Sequence, residues 1–158
     1  MGRQYRAILP LTLQLLGAAA MLTPLRAADP IVGDWTLDVR SSKFVRPAPR
    51  EQTETYRELA SGEIEFVLTR VQQDGSSTYR LTWPAGGGAA RDHSSLLSCL
   101  LGPTYVETLL GPGDWLVTTL ANGKQFSTIH KVISQDGKTM TQTVKASYGE
   151  QIQVFHRR

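Results

Sequence analysis

Three histidines, one cysteine and a run of four polar residues are where chemistry could start in this chain. The run is Asp92-His93-Ser94-Ser95, and it holds an acid, a base and two hydroxyls. A catalytic triad needs its base held between nucleophile and orienting acid. Neighbours on a polar loop rarely face one another that way. His93, His130 and His156 are far apart in sequence, so a metal site would depend wholly on the fold. No metal site and no cofactor is expected from them. The chain contains no G-x-S-x-G, no H-E-x-x-H, no phosphate loop and no dinucleotide fingerprint. An enzyme reading therefore has no motif behind it. Cys99 cannot form an internal disulfide alone, and reads as a buried small hydrophobe or an intermolecular thiol. Glu63 and Glu65 alternate with Ile64 and Phe66 and read as a solvated face, as does the Glu51, Glu54 and Glu58 set.

These residues must be positioned by strands. Trp35, Leu37 and Val39 alternate with Asp34, Thr36, Asp38 and Arg40, and that two-residue period puts the apolar set on one face. Further strands are expected over 51–59, 63–71, 78–83, 105–110, 115–121, 125–134, 139–147 and 151–157. Asp74-Gly75, Asn122-Gly123 and Asp136-Gly137 separate several of them, and such pairs are strong hairpin signals because the turn wants positive φ. The segment 84–90, rich in glycine, reads as a flexible loop. Asp92 to Leu101 could form a short helix with Leu96, Leu97, Leu100 and Leu101 on one face, or a strand. The expectation is an all-β fold, an up-and-down antiparallel β-barrel of about 8–10 strands with that one short helix near 92–101.

Within such a barrel, Tyr79, Trp83, Tyr105, Trp115 and Phe126 are candidates to line the interior. His130 shares strand parity with Phe126, Thr128 and Val132, and His156 with Ile152 and Val154, so both are expected to point inward as well. A filled core is the competing role for each aromatic, and a hydrogen-bonded interior or rim position for each histidine.

The first 27 residues have a different layout. Arg3 and Arg6 precede an apolar run from Ala7 to Leu22, and small residues follow up to Ala27-Ala28. That is the pattern of a secretory signal peptide, leaving a domain over 28–158. The apolar run is interrupted by Pro10, Thr12 and Gln14, which makes a poor membrane span. An exported location, periplasmic or secreted, and no stable membrane anchor after leader removal are expected. Without Arg3, Arg6 and Arg26, 14 of the 17 basic residues remain against 14 acidic ones, and the net charge is zero. No Lys/Arg run marks a nucleic-acid footprint.

Particular residues carry a family resemblance. Gly33-x-Trp35-x-Leu37, Ser42-Lys43-Phe44, Pro47-Ala48-Pro49 and the late Ser134-Gln135-Asp136-Gly137-Lys138-Thr139-Met140-Thr141 resemble small exported bacterial lipocalin-like proteins, a group mostly of unknown function. The resemblance runs from about Ile31 to the end and lapses between Trp83 and Pro103. The wider calycin group, lipocalins and intracellular fatty-acid-binding proteins included, is similar in opening with G-x-W. That resemblance implies that Gly33 and Trp35 close one barrel end, with Arg157 packed over the indole.

Two functional readings follow. The first is an exported lipocalin-like barrel that binds a small apolar or amphipathic ligand, as a monomer or weak dimer. The second is an envelope structural or interaction protein with a filled barrel. The volume of the interior separates them.

Overall fold

The computed structural model describes residues 28–94 and 102–158. The leader and the leucine-rich part of the expected helix lie outside them. The described chain is built from eleven strands: β1 (Gly33–Lys43), β2 (Glu51–Glu58), β3 (Glu63–Gln72), β4 (Gly75–Pro84), β5 (Gly87–Ala89), β6 (Arg91–Asp92), β7 (Thr104–Gly111), β8 (Asp114–Ala121), β9 (Lys124–Ile133), β10 (Thr139–Ala146) and β11 (Gly149–Arg157). They form one sheet in the order β5-β7-β8-β9-β10-β11-β1-β2-β3-β4-β6, and every pairing is antiparallel. Apart from the β11–β1 pairing and the seam, each strand pairs with its neighbour in sequence, which is the up-and-down barrel expected.

The barrel is nearly closed, and the seam lies between β4 and β7. One short segment bridges it. Gly87, Gly88 and Ala89 pair with Thr108, Glu107 and Val106 of β7, and two residues later Arg91 and Asp92 pair with Thr82 and Leu81 of β4. This corrects one expectation and decides another. Gly87–Ala89 is a strand, where the composition reads as a flexible loop. Asp92 ends a strand, where the sequence offers it as the first residue of a short helix or a strand. Its Oδ1 accepts the backbone N–H of Ser94 at 2.7 Å.

Glycine is what lets the bridge form. Gly87 has φ of 95°, and a Cβ there would sit 2.7 Å from the Glu107 carbonyl oxygen. Gly87→Ala combines that backbone clash with a disfavoured conformation. It should destabilise the fold by about 1–3 kcal/mol, the range for overpacking. Thermal melts check this, and an unchanged midpoint would mean the bridge does not sit on β7.

The packed core sits at one end. Trp35, Trp83, Trp115, Tyr56, Phe155, Ile31, Ile64 and Met140 are its large, fully buried side chains. Arg157 lies over the Trp35 ring, 4.3 Å from its centroid, and donates to the carbonyls of Val32 (2.6 Å) and Gly137 (2.7 Å). A side chain at Gly33 would run into that guanidinium. The Trp35 indole N–H donates to the Ile31 carbonyl at 2.9 Å, which ties the entering chain across the closed end.

A candidate ligand cavity

Above the packed end the barrel is not filled. A cavity of about 610 Å³ opens among the hairpin turns at the other end. That volume lies within the usual range of small-molecule sites, roughly 300–1,000 Å³. Its walls carry Phe66, Leu68, Leu81, Val117, Ile129 and Val144, and Tyr79 and Phe126 stand partly exposed at the mouth.

The lower part of the cavity is polar. Gln52, Glu54, Glu107, Lys131, Gln142 and Gln153 all face it, and each is at most 4% exposed. Glu54 is the hub. Its Oε1 accepts from Gln52 Nε2 (3.0 Å), and its Oε2 accepts from the Tyr56 hydroxyl (2.6 Å) and from Gln142 Nε2 (2.7 Å). Lys131 Nζ donates to the Tyr56 oxygen at 3.1 Å, and stands 5.2 Å and 5.0 Å from the ring centroids of Tyr56 and Phe66. Arg70 Nε, nearer the mouth, donates to Gln52 Oε1 at 2.8 Å. The groups around Glu54 are satisfied by mutual hydrogen bonds, which is the condition for holding polar groups in a low-dielectric interior.

Glu107 is the exception. Its Oε2 is buried without a hydrogen-bond partner. Burial pushes its carboxyl above the usual range and the Glu54 charge adds to this, while the Lys131 ammonium opposes it. Burial, followed by the Glu54 charge and hydrogen bond, holds the Tyr56 phenol well above its ordinary value. Raising an acid's pKa on folding means that the folded state holds the proton more tightly. The contribution of Glu107 to stability is then fully present below its unfolded value and is lost as pH rises through the folded one. Glu107→Gln should therefore gain stability relative to the parent as pH is raised from about 4.5 towards neutrality. Denaturant midpoints of both proteins across that window check this, and parallel curves would contradict it.

The residues singled out in the sequence divide three ways. Tyr79, Tyr105 and Phe126 line the cavity. Trp83 and Trp115 belong to the packed end below it. The histidines are corrected. His130 Nε2 lies 2.7 Å from Asp114 Oδ1 and His156 Nε2 lies 3.4 Å from Asp38 Oδ2, both on the outer face. A bulge moves His130: Thr119 pairs with Ser127 but Leu120 with Gln125, so Phe126 is an extra residue and the parity inverts after it. Ile129 and Lys131 consequently face in. His156 is out because the inward set of β11 is Gln151, Gln153 and Phe155 rather than Ile152 and Val154. Glu54 is also corrected, from solvated face to buried hub. Among the described residues, no three potential metal ligands converge.

No protein-family model and no curated protein matches the chain. Solved structures do. The fluorescent protein UnaG superposes with a TM-score of 0.61 at 13% identity, over 84% of this chain and 100% of that one. Fatty-acid-binding protein 1 of Echinococcus granulosus gives 0.55 at 11% identity, over 81% and 97%. The Schistosoma mansoni fatty acid binding protein in complex with arachidonic acid gives 0.54 at 14%, over 82% and 96%. The fold is that of the fatty-acid-binding protein barrels. At these identities the likeness concerns the fold, and the interior side chains have to be read on their own terms.

Proposed function

We propose that this protein is an exported binding barrel, which holds one small amphipathic ligand with its apolar part along the upper walls. The observation that carries the reading is the cavity of about 610 Å³, open at the mouth and floored by an ordered polar network. A barrel whose role was purely structural gains nothing from burying Glu54, Glu107 and Lys131 under an empty volume. The similar barrels named for fatty acid binding, one of them holding arachidonic acid, support a ligand of that size class. The filled-barrel reading has no comparable support.

Export rests on the Arg3, Arg6 and Ala7–Leu22 layout ahead of the domain. N-terminal sequencing of material recovered outside the cytoplasm should begin near Ala28, and a chain that still starts at Met1 would overturn it. For the ligand, the purified domain should enhance the fluorescence of N-phenyl-1-naphthylamine in a saturable, one-to-one manner. Native mass spectrometry of protein from its own host should show an added small-molecule mass. Linear, non-saturable dye response together with a bare protein mass would sink the binding reading.

A further inference from the structure

The cavity floor is asymmetric in its hydrogen bonding, and the asymmetry points to a head group. Two carboxyl groups, Glu54 and Glu107, face one ammonium, Lys131. Glu54 is engaged on both oxygens by Gln52, Tyr56 and Gln142. Lys131 is drawn into the same network through the Tyr56 hydroxyl and is flanked by two aromatic rings. The other cation facing the cavity, Arg70, donates to Gln52. Among the described residues, Glu107 Oε2 is a cavity-lining acceptor that is buried and has no donor.

A buried acceptor without a donor carries a desolvation penalty, and a ligand that supplies the donor recovers that cost on binding. A ligand carboxylate does the opposite. It supplies no donor, and it would bring a third acid to a floor that already holds Glu54 and Glu107.

We infer that the cavity selects amphiphiles whose polar end donates a hydrogen bond, a hydroxyl or an ammonium, to Glu107, and discriminates against carboxylates of the same chain length. This rests on the ligand-binding reading above and deepens it. The apolar chain then runs from the floor past Leu68, Leu81, Val117 and Ile129 towards Phe126 at the mouth. Selectivity built from one buried acceptor is worth a large ratio, because the wrong ligand leaves a polar group unpaired.

The test is displacement of N-phenyl-1-naphthylamine at pH 7 by 1-decanol, decylamine and sodium decanoate. The alcohol, the amine or both should displace the dye at a concentration at least tenfold below decanoate. Which of the two is stronger tells a neutral from a cationic head group. Glu107→Gln keeps an acceptor but adds a competing amide donor, and Glu107→Leu removes the acceptor. The preference over decanoate should shrink in the first and vanish in the second. Circular dichroism and thermal melts confirm that each variant has kept its barrel. Decanoate binding as tightly as the other two, or an unchanged preference in folded Glu107→Leu, overturns the inference while leaving a binding barrel. Failure of all three to displace a saturably bound dye overturns the inference alone, whereas a linear, non-saturable dye response with a bare protein mass overturns both.

Discussion

Trp35→Ala is expected to destabilise the barrel by about 3–5 kcal/mol, the range for truncating a fully buried large aromatic. Trp35 is 0% exposed and is the point where three parts of the chain meet. Its indole holds the Ile31 carbonyl, its face carries Arg157, and its backbone registers against β2 and β11. Removing the side chain opens a cavity and also leaves the guanidinium without its ring. The loss should appear as a fall in melting temperature of the order of 10 °C. Phe126→Ala is the matched control: Phe126 is 51% exposed at the mouth, so its loss should cost well under half as much. Equal effects of the two substitutions would show that the closed end is not where the stability lies.

The second large effect belongs to Glu54→Leu. Three donors, on Gln52, Tyr56 and Gln142, lose their acceptor at once, and Lys131 loses a nearby opposite charge. Breaking one side of a buried charged network is worth about 3–5 kcal/mol, because the groups left behind stay desolvated. Glu54→Gln keeps one acceptor oxygen and should cost less. Equilibrium urea unfolding of the three proteins measures the series. A Glu54→Leu variant as stable as the parent would place Glu54 in solvent, where its sequence context suggests.

That suggestion shows where sequence reading succeeds and fails here. The hairpins and the strand faces of Ile64, Phe66 and Leu68 are legible because apolar alternation and turn chemistry are local signals. The interior network is not legible by the same rule. On β10 and β11 the inward positions include Gln142, Gln151 and Gln153, while Ile152 and Val154 face outward, so hydropathy points the wrong way. A better signal was present. Placing Arg157 over Trp35 requires Phe155 and Gln153 to share its face, and that excludes His156. The β9 bulge is harder, since nothing in Gln125-Phe126-Ser127 marks an extra residue. The bridging segment is missed because glycine signals freedom in isolation. Its use for close approach to Glu107 appears only once β7 is in place.

The pairing of β1 with β11 has a consequence for how the molecule is made. Arg157 donates to the carbonyl of Val32, 125 positions earlier, and Arg158 donates its backbone N–H to Asp34. The ring is therefore completed only once β11 has been synthesised. Until then the strands from β2 to β10 have their hairpin and seam partners, and β1 lacks one edge. Joining segments so distant carries a loop-closure cost that grows with the logarithm of the separation, and such topologies fold slowly. Nascent chains stalled a few residues short of Arg157 should thus remain protease-sensitive along β1, although ten of the eleven strands have already been synthesised.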